Sequence, residues 1–63
     1  MCQATVYLNG EVIMEEVIQV SPTEKGVELR SFFGGPRTVS ARIREIDLIK
    51  HRVYLETGGE ANK

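Results

Sequence analysis

The chemistry this chain of 63 residues can offer begins at its second residue, because Cys2 is its only cysteine and stands beside the amino terminus. A side chain as small as that of cysteine at this position normally allows the initiator methionine to be removed, so the mature chain is expected to begin at Cys2. Its amine nitrogen and thiolate sulfur, two carbons apart, can then close a five-membered chelate ring on one metal ion. The main-chain nitrogen of Gln3, once deprotonated, adds a further donor. Sulfur with nitrogen in a planar arrangement suits Ni(II) or copper, whereas zinc prefers a tetrahedron and the oxygen-seeking Mg and Ca are poor matches. One terminus supplies too few donors for a four-coordinate ion, and a second copy of the same terminus completes the set most simply. A metal site at Cys2 and Gln3 therefore requires a symmetric homodimer with the two termini meeting near its axis. The alternative is that Cys2 is a small buried hydrophobe, a common role for free cysteine.

Other candidate donors are sparse. His51 is the one histidine, and between Lys50 and Arg52 it reads as an exposed turn residue, with a second metal ligand or a pH-sensitive contact as the other reading. Met14 fits a core position better than a thioether ligand. Enzymatic chemistry finds no footing: there is no nucleophile, histidine and acid arrangement, Gly34-Gly35-Pro36 is a turn signal rather than a phosphate loop, and Glu15 and Glu16 would point to opposite faces of a strand. The expected class is a binding protein.

The elements that must position Cys2 are short strands. Cys2, Ala4, Val6 and Leu8 alternate with Gln3, Thr5 and Tyr7, the period of a half-buried strand. Asn9-Gly10 is a strong hairpin signal because both residues tolerate positive φ. From Glu11 to Val20 the apolar parity breaks at Glu16, which predicts a bulge or bend in a long strand, with a helical turn as the alternative. Ser21 to Gly26 reads as a turn around Pro22. Val27, Leu29, Ser31 and Phe33 form a third alternating run, ended by Gly34-Gly35-Pro36. A fourth run from Arg37 places Val39, Ala41 and Ile43 inward. Its parity flips at Arg44-Glu45, so that Ile46 and Leu48 continue the apolar series from the other phase. Lys50-His51 makes a turn with histidine at positive φ, and Arg52 to Glu56 is a last strand. Strands this short with such bends favour an all-β, five- to six-stranded SH3-like (Sm-like) barrel over residues 1–57, followed by a flexible tail at 58–63.

Composition sets outer limits. A chain this short buries only ~60% of the surface it exposes when unfolded, so its core is thin and self-association would help. A single cysteine allows no internal disulfide. No apolar run approaches the ~20 residues needed to span a bilayer and no signal-type leader is visible, so a cytoplasmic protein without membrane contact is expected. Eight Lys and Arg against nine Asp and Glu give a net charge of -1, so no overall field recruits nucleic acid. An RNA-binding module is nevertheless the alternative function: Arg37, Arg42, Arg44, Lys50 and Arg52 could form a cationic groove, with Tyr7, Phe32, Phe33 and Tyr54 as stacking platforms. Glu28, Glu45, Asp47 and Glu56 are interspersed among these cations and argue for a solvated mixed-charge face instead.

The opening Met-Cys-x-Ala-x-Val-Tyr-Leu, the central Val27-Glu28-Leu29-Arg30-Ser31-Phe32-Phe33-Gly34, and Ala41-Arg42-Ile43-Arg44-Glu45-Ile46-Asp47-Leu48 followed by Val53-Tyr54-Leu55 resemble the CooT family. These are small nickel-binding proteins linked to maturation of nickel-containing carbon monoxide dehydrogenase, a family that has also carried the label of predicted RNA-binding protein. The resemblance runs over roughly residues 1–57 and rests on the order and spacing of short motifs. It implies an SH3-like homodimer that binds Ni(II) through the cysteine after the initiator methionine, here Cys2 with its adjoining main chain, acts as a metallochaperone, and has a nickel enzyme as client.

Overall fold

The computed structural model describes residues 3–57, so Cys2 and the tail 58–63 lie outside the described residues. The order of elements is β1 (Ala4–Leu8), β2 (Glu11–Thr23), β3 (Gly26–Ser31), β4 (Arg37–Val39), β5 (Arg42–Asp47) and β6 (Arg52–Glu56). The all-β expectation holds, and the six strands form one sheet in the order β4-β3-β2-β1-β6-β5. Every neighbouring pair is antiparallel except β1 and β6, which run parallel with Thr5 opposite Arg52 and Leu8 opposite Leu55.

The expected barrel is not closed. Strands β4 and β5 are the two edges of the sheet, although Ser40 and Ala41 alone separate them in sequence. A link that short forces the sheet to curl until its edges approach. The Ala41 amide donates to the Val39 carbonyl at 2.8 Å, a tight corner that sends β5 off at an angle instead of laying it beside β4. That corner also splits the run expected from Arg37 into two strands.

Curling comes from irregularities placed where the apolar parity breaks. Glu16 takes a positive φ of 58°, and the registers of β2 with both β1 and β3 shift around it. The pairing of β5 with β6 slips between Ile43 and Glu45, at the expected parity flip. Both are bulges, which bend a strand and re-aim its side chains. Asn9 at φ 51° and Gly10 at φ 90° make the first hairpin as expected, and His51 holds a φ of 57° in the last turn.

The turn around Pro22 is narrower than expected. β2 continues through Pro22 to Thr23, with Pro22 opposite Val27, leaving only Glu24 and Lys25 as the turn. Proline is tolerated because β1 pairs with β2 no further than Val17, so this end of β2 has a partner on one side only.

The core consists of Val6, Val17, Val27, Leu29, Val39, Val53 and Leu55, with Ala4, Leu8, Ile13, Met14, Val20, Ala41 and Ile43 packed around it. Valine dominates because β-branched side chains suit a pleated, curved surface. Ile46 and Leu48, expected to extend the core, do not: they are 49% and 79% exposed, Ile46 at the end of the edge strand β5 and Leu48 in the turn that follows it. Phe33 likewise lies beyond the end of β3, with Ser31 Oγ accepting the amides of Phe33 and Gly34 at 3.3 and 3.2 Å.

Candidate metal centre

Because β1 and β6 are parallel, both begin at the same end of the molecule. The Thr5 amide donates to the His51 carbonyl at 2.9 Å, which ties the last turn to the strand that follows the amino terminus. Gln3 precedes β1 and emerges into a groove of about 180 Å³ between the second half of β2 and the β5–β6 turn. Ile18, Val20, Ile46 and Leu48 give the groove its apolar wall, and Gln3, Gln19, Asp47 and His51 bring polar groups to it.

Of the expected metal-binding residues, Cys2 lies outside the described residues and Gln3 stands half-buried at the groove. Nothing among the described residues gathers His, Asp and Glu into a ligand cluster. Asp47 faces the groove, but its Oδ1 already accepts the Lys50 amide at 3.0 Å, and Gln19 Nε2 contacts Ser21 Oγ at 3.5 Å. Among the described residues, the donors this end of the protein can offer an incoming ion are the main chain and amide oxygen of Gln3, the second carboxylate oxygen of Asp47 and the imidazole of His51.

The aromatic and cationic residues are arranged differently from a stacking platform. Tyr7 and Tyr54, opposite one another on β1 and β6, stack with centroids 5.2 Å apart and planes at 28°. Arg52 lies 5.7 Å from the Tyr7 centroid and Arg44 the same distance from that of Tyr54. Each ring therefore already has an aromatic and a cationic neighbour, an arrangement that stabilises the outer face of the sheet. The Arg52 guanidinium is pushed above its ordinary value, first by hydrogen bonding with Tyr54 and then by electrostatic interaction with Tyr7 and Tyr54. Arg42 pairs with Glu56 at 3.1 Å on an exposed edge, a contact worth little in water. Phe33, 85% exposed, and Phe32, 44% exposed, remain open and meet edge-on with centroids 6.3 Å apart.

Sequence reasoning missed the groove. Its wall comes from residues expected in the core, Ile46 and Leu48, and from Ile18, whose outward aim follows from the bulge at Glu16. The one signal available was the pair of parity breaks, which place apolar side chains on both faces of a strand.

A curled all-β domain with a thin valine core and an open apolar groove at its amino-terminal end has the character of a small binding domain. The chain belongs to the CooT family: residues 1–56 match the family described as CO dehydrogenase accessory protein CooT. A solved crystal structure from Carboxydothermus hydrogenoformans, assigned to CooT, superposes with a TM-score of 0.79 at 32% identity, covering 89% of this chain and 97% of that one. Two uncharacterized proteins are also similar. One, from Methanothermobacter thermautotrophicus, is 33% identical over 58 residues, which is 90% of this chain and 91% of the relative. The other, MJ1551 of Methanocaldococcus jannaschii, is 32% identical over 56 residues, 89% of this chain and 98% of the relative. Family membership makes this an accessory protein of CO dehydrogenase. No helix among the described residues is long and apolar enough to cross a membrane.

Proposed function

We propose that this protein is a cytoplasmic metallochaperone rather than an enzyme. It carries Ni(II) as cargo between the amino termini of a homodimer and delivers it to CO dehydrogenase. The observation that supports this reading most is the position of Gln3, at an open apolar groove rather than under packed side chains. An ion held there by the Cys2 amine and thiolate and the Gln3 nitrogen keeps an accessible edge, which transfer requires. Binding releases protons from the thiol and main-chain nitrogen, so acid weakens it and a client with better ligands can take the ion.

The exposed side chains of Ile46 and Leu48 at the edge of the groove are the natural seat of the second copy, a contact that leaves the groove open beside Gln3. That patch shares the groove with Gln3, so an isologous contact through it would bring the two termini toward the axis. The nucleic-acid alternative has less support, since Tyr7 and Tyr54 already stack on each other.

The reading is tested by nickel titration of the mature chain beside a version that retains Met1. The mature protein is expected to bind one Ni(II) per dimer with a sulfur-to-nickel charge-transfer band. With Met1 in place the amine is separated from the thiol, the chelate ring is lost, and binding should weaken. Equal affinity in both forms would rule out the amine as a ligand. Leu48→Glu tests the dimer separately. Leu48 is mostly exposed, so the substitution should leave folding nearly intact while moving the sedimentation mass toward the monomer. An unchanged dimer would place the contact elsewhere.

A further inference from the structure

We propose that the loop carrying Phe32 and Phe33 is the surface through which this protein docks on CO dehydrogenase, with Phe33 entering an apolar hollow of the enzyme. The partner follows from the accessory role that family membership gives this chain, because an accessory protein must touch the enzyme it serves. The surface depends neither on nickel nor on the amino terminus.

The chain has two phenylalanines, and both are on its surface, at 44% and 85% exposure. One exposed apolar side chain would be ordinary. Here the buried core is valine and leucine alone, although an aromatic ring would bury more area per residue in a domain whose core is thin for its size. The two rings also meet edge-on with centroids 6.3 Å apart, so they form one continuous patch.

The loop that displays them is fastened to β2. The Phe32 amide donates to the Glu16 carbonyl at 3.2 Å, at the bulge. Beyond the two glycines, Arg37 Nη1 donates to the Ile13 carbonyl at 3.3 Å. Between these anchors Ser31 Oγ accepts the amides of Phe33 and Gly34. A ring already held in place loses little freedom when a partner covers it, and aromatic side chains are enriched where interfaces are fully buried.

The position suits an accessory protein. Val17 pairs with Ala4 on one side and with Ser31 on the other, so the end of β3 stands two strand spacings, roughly 10 Å, across the sheet from the start of β1. An enzyme seated on the two rings lies close to the amino-terminal end of the sheet. The groove stays uncovered, since neither ring lines it, and Ile46 and Leu48 remain available to the second copy.

The test measures binding of the full-length mature protein to purified, nickel-free CO dehydrogenase from the same organism. Wild type is compared with Phe33→Ser, Phe33→Leu and Cys2→Ser. Phe33 is mostly exposed, so its variants should keep the wild-type urea midpoint and the wild-type affinity for nickel. Phe33→Ser should weaken docking by roughly 30-fold, the loss typical of a central interface anchor, while Phe33→Leu restores most of it. Docking should change little as salt is raised, because the contact is apolar. Wild-type docking by Phe33→Ser would overturn the proposal, as would failure of the wild-type protein to bind the enzyme. Docking by Cys2→Ser at wild-type strength, with its nickel binding gone, supports a surface separate from the metal site. Docking lost in Cys2→Ser and kept in Phe33→Ser would place the contact at the amino terminus and overturn the proposal while leaving the nickel reading standing.

Discussion

Replacing Cys2 by serine should abolish tight nickel binding while leaving the fold and the dimer in place. Serine is also small enough for the initiator methionine to be removed, so the terminus stays the same length and its amine remains free. The change is confined to one atom, sulfur to oxygen. A thiolate is available near neutral pH and is a soft donor, whereas the serine hydroxyl keeps its proton and binds divalent nickel poorly. Two sulfurs would be lost from the proposed dimer site at once. Residues that merely support a metal's ligands change affinity by about 10- to 100-fold, so loss of two direct ligands should exceed about 100-fold, or ~2.7 kcal/mol. The charge-transfer band should vanish with it. Strong binding with that band intact in Cys2→Ser would exclude a cysteine site. A fall in affinity accompanied by dissociation of the dimer would mean that the metal, rather than the apolar patch, holds the subunits together.

Much of the fold was legible from residue alternation because strand period and turn chemistry are local. Asn9-Gly10 specifies its hairpin through positive φ, and the break at Glu16 and the flip at Arg44-Glu45 mark the two bulges. Closure was not legible. Whether a curled sheet seals depends on how the chain turns between its edges, and the Val39–Ala41 corner is a geometric detail that side-chain pattern does not encode. The same limit applies at the site. The chemistry of Cys2 can be read from its type and position, but the groove shared by Gln3 and the β5–β6 turn arises from the parallel pairing of strands far apart in sequence, with Thr5 opposite Arg52. Parity arguments placed Ile46 and Leu48 in the core because they treat a strand as continuing. The chain instead turns at Asp47, whose carboxylate caps the Lys50 amide, and this converts two core candidates into the wall of a groove.

The largest effect on stability is expected not in the valine core but at Gly26, where β2 and β3 meet. Gly26 has a φ of 144°, a region that side chains of L residues rarely enter. A Cβ built there would lie 2.0 Å from the Val39 carbonyl oxygen and 3.0 Å from its carbon. The obstacle is backbone, and it belongs to the corner that joins the two edges of the sheet. Gly26→Ala must therefore either push β4 away from β3 or rotate the end of the hairpin. Both disturb Val27 opposite Val39, a buried pair. Strained backbone alone costs on the order of 1–3 kcal/mol, and overpacking against an unyielding neighbour adds about 1–3 kcal/mol more. A domain of this size has a total stability of only about 5 kcal/mol, so the substitution should remove most of it and leave a chain largely unfolded at growth temperature. Gly10→Ala is the comparison: Gly10 also has positive φ, but nothing lies within 4 Å of an added Cβ, so only the conformational part, about 1 kcal/mol, should appear. Urea midpoints of the two variants measure the difference. Near-equal midpoints would show that the Val39 corner yields easily, and the view of that corner as the feature keeping the curled sheet open would have to be abandoned.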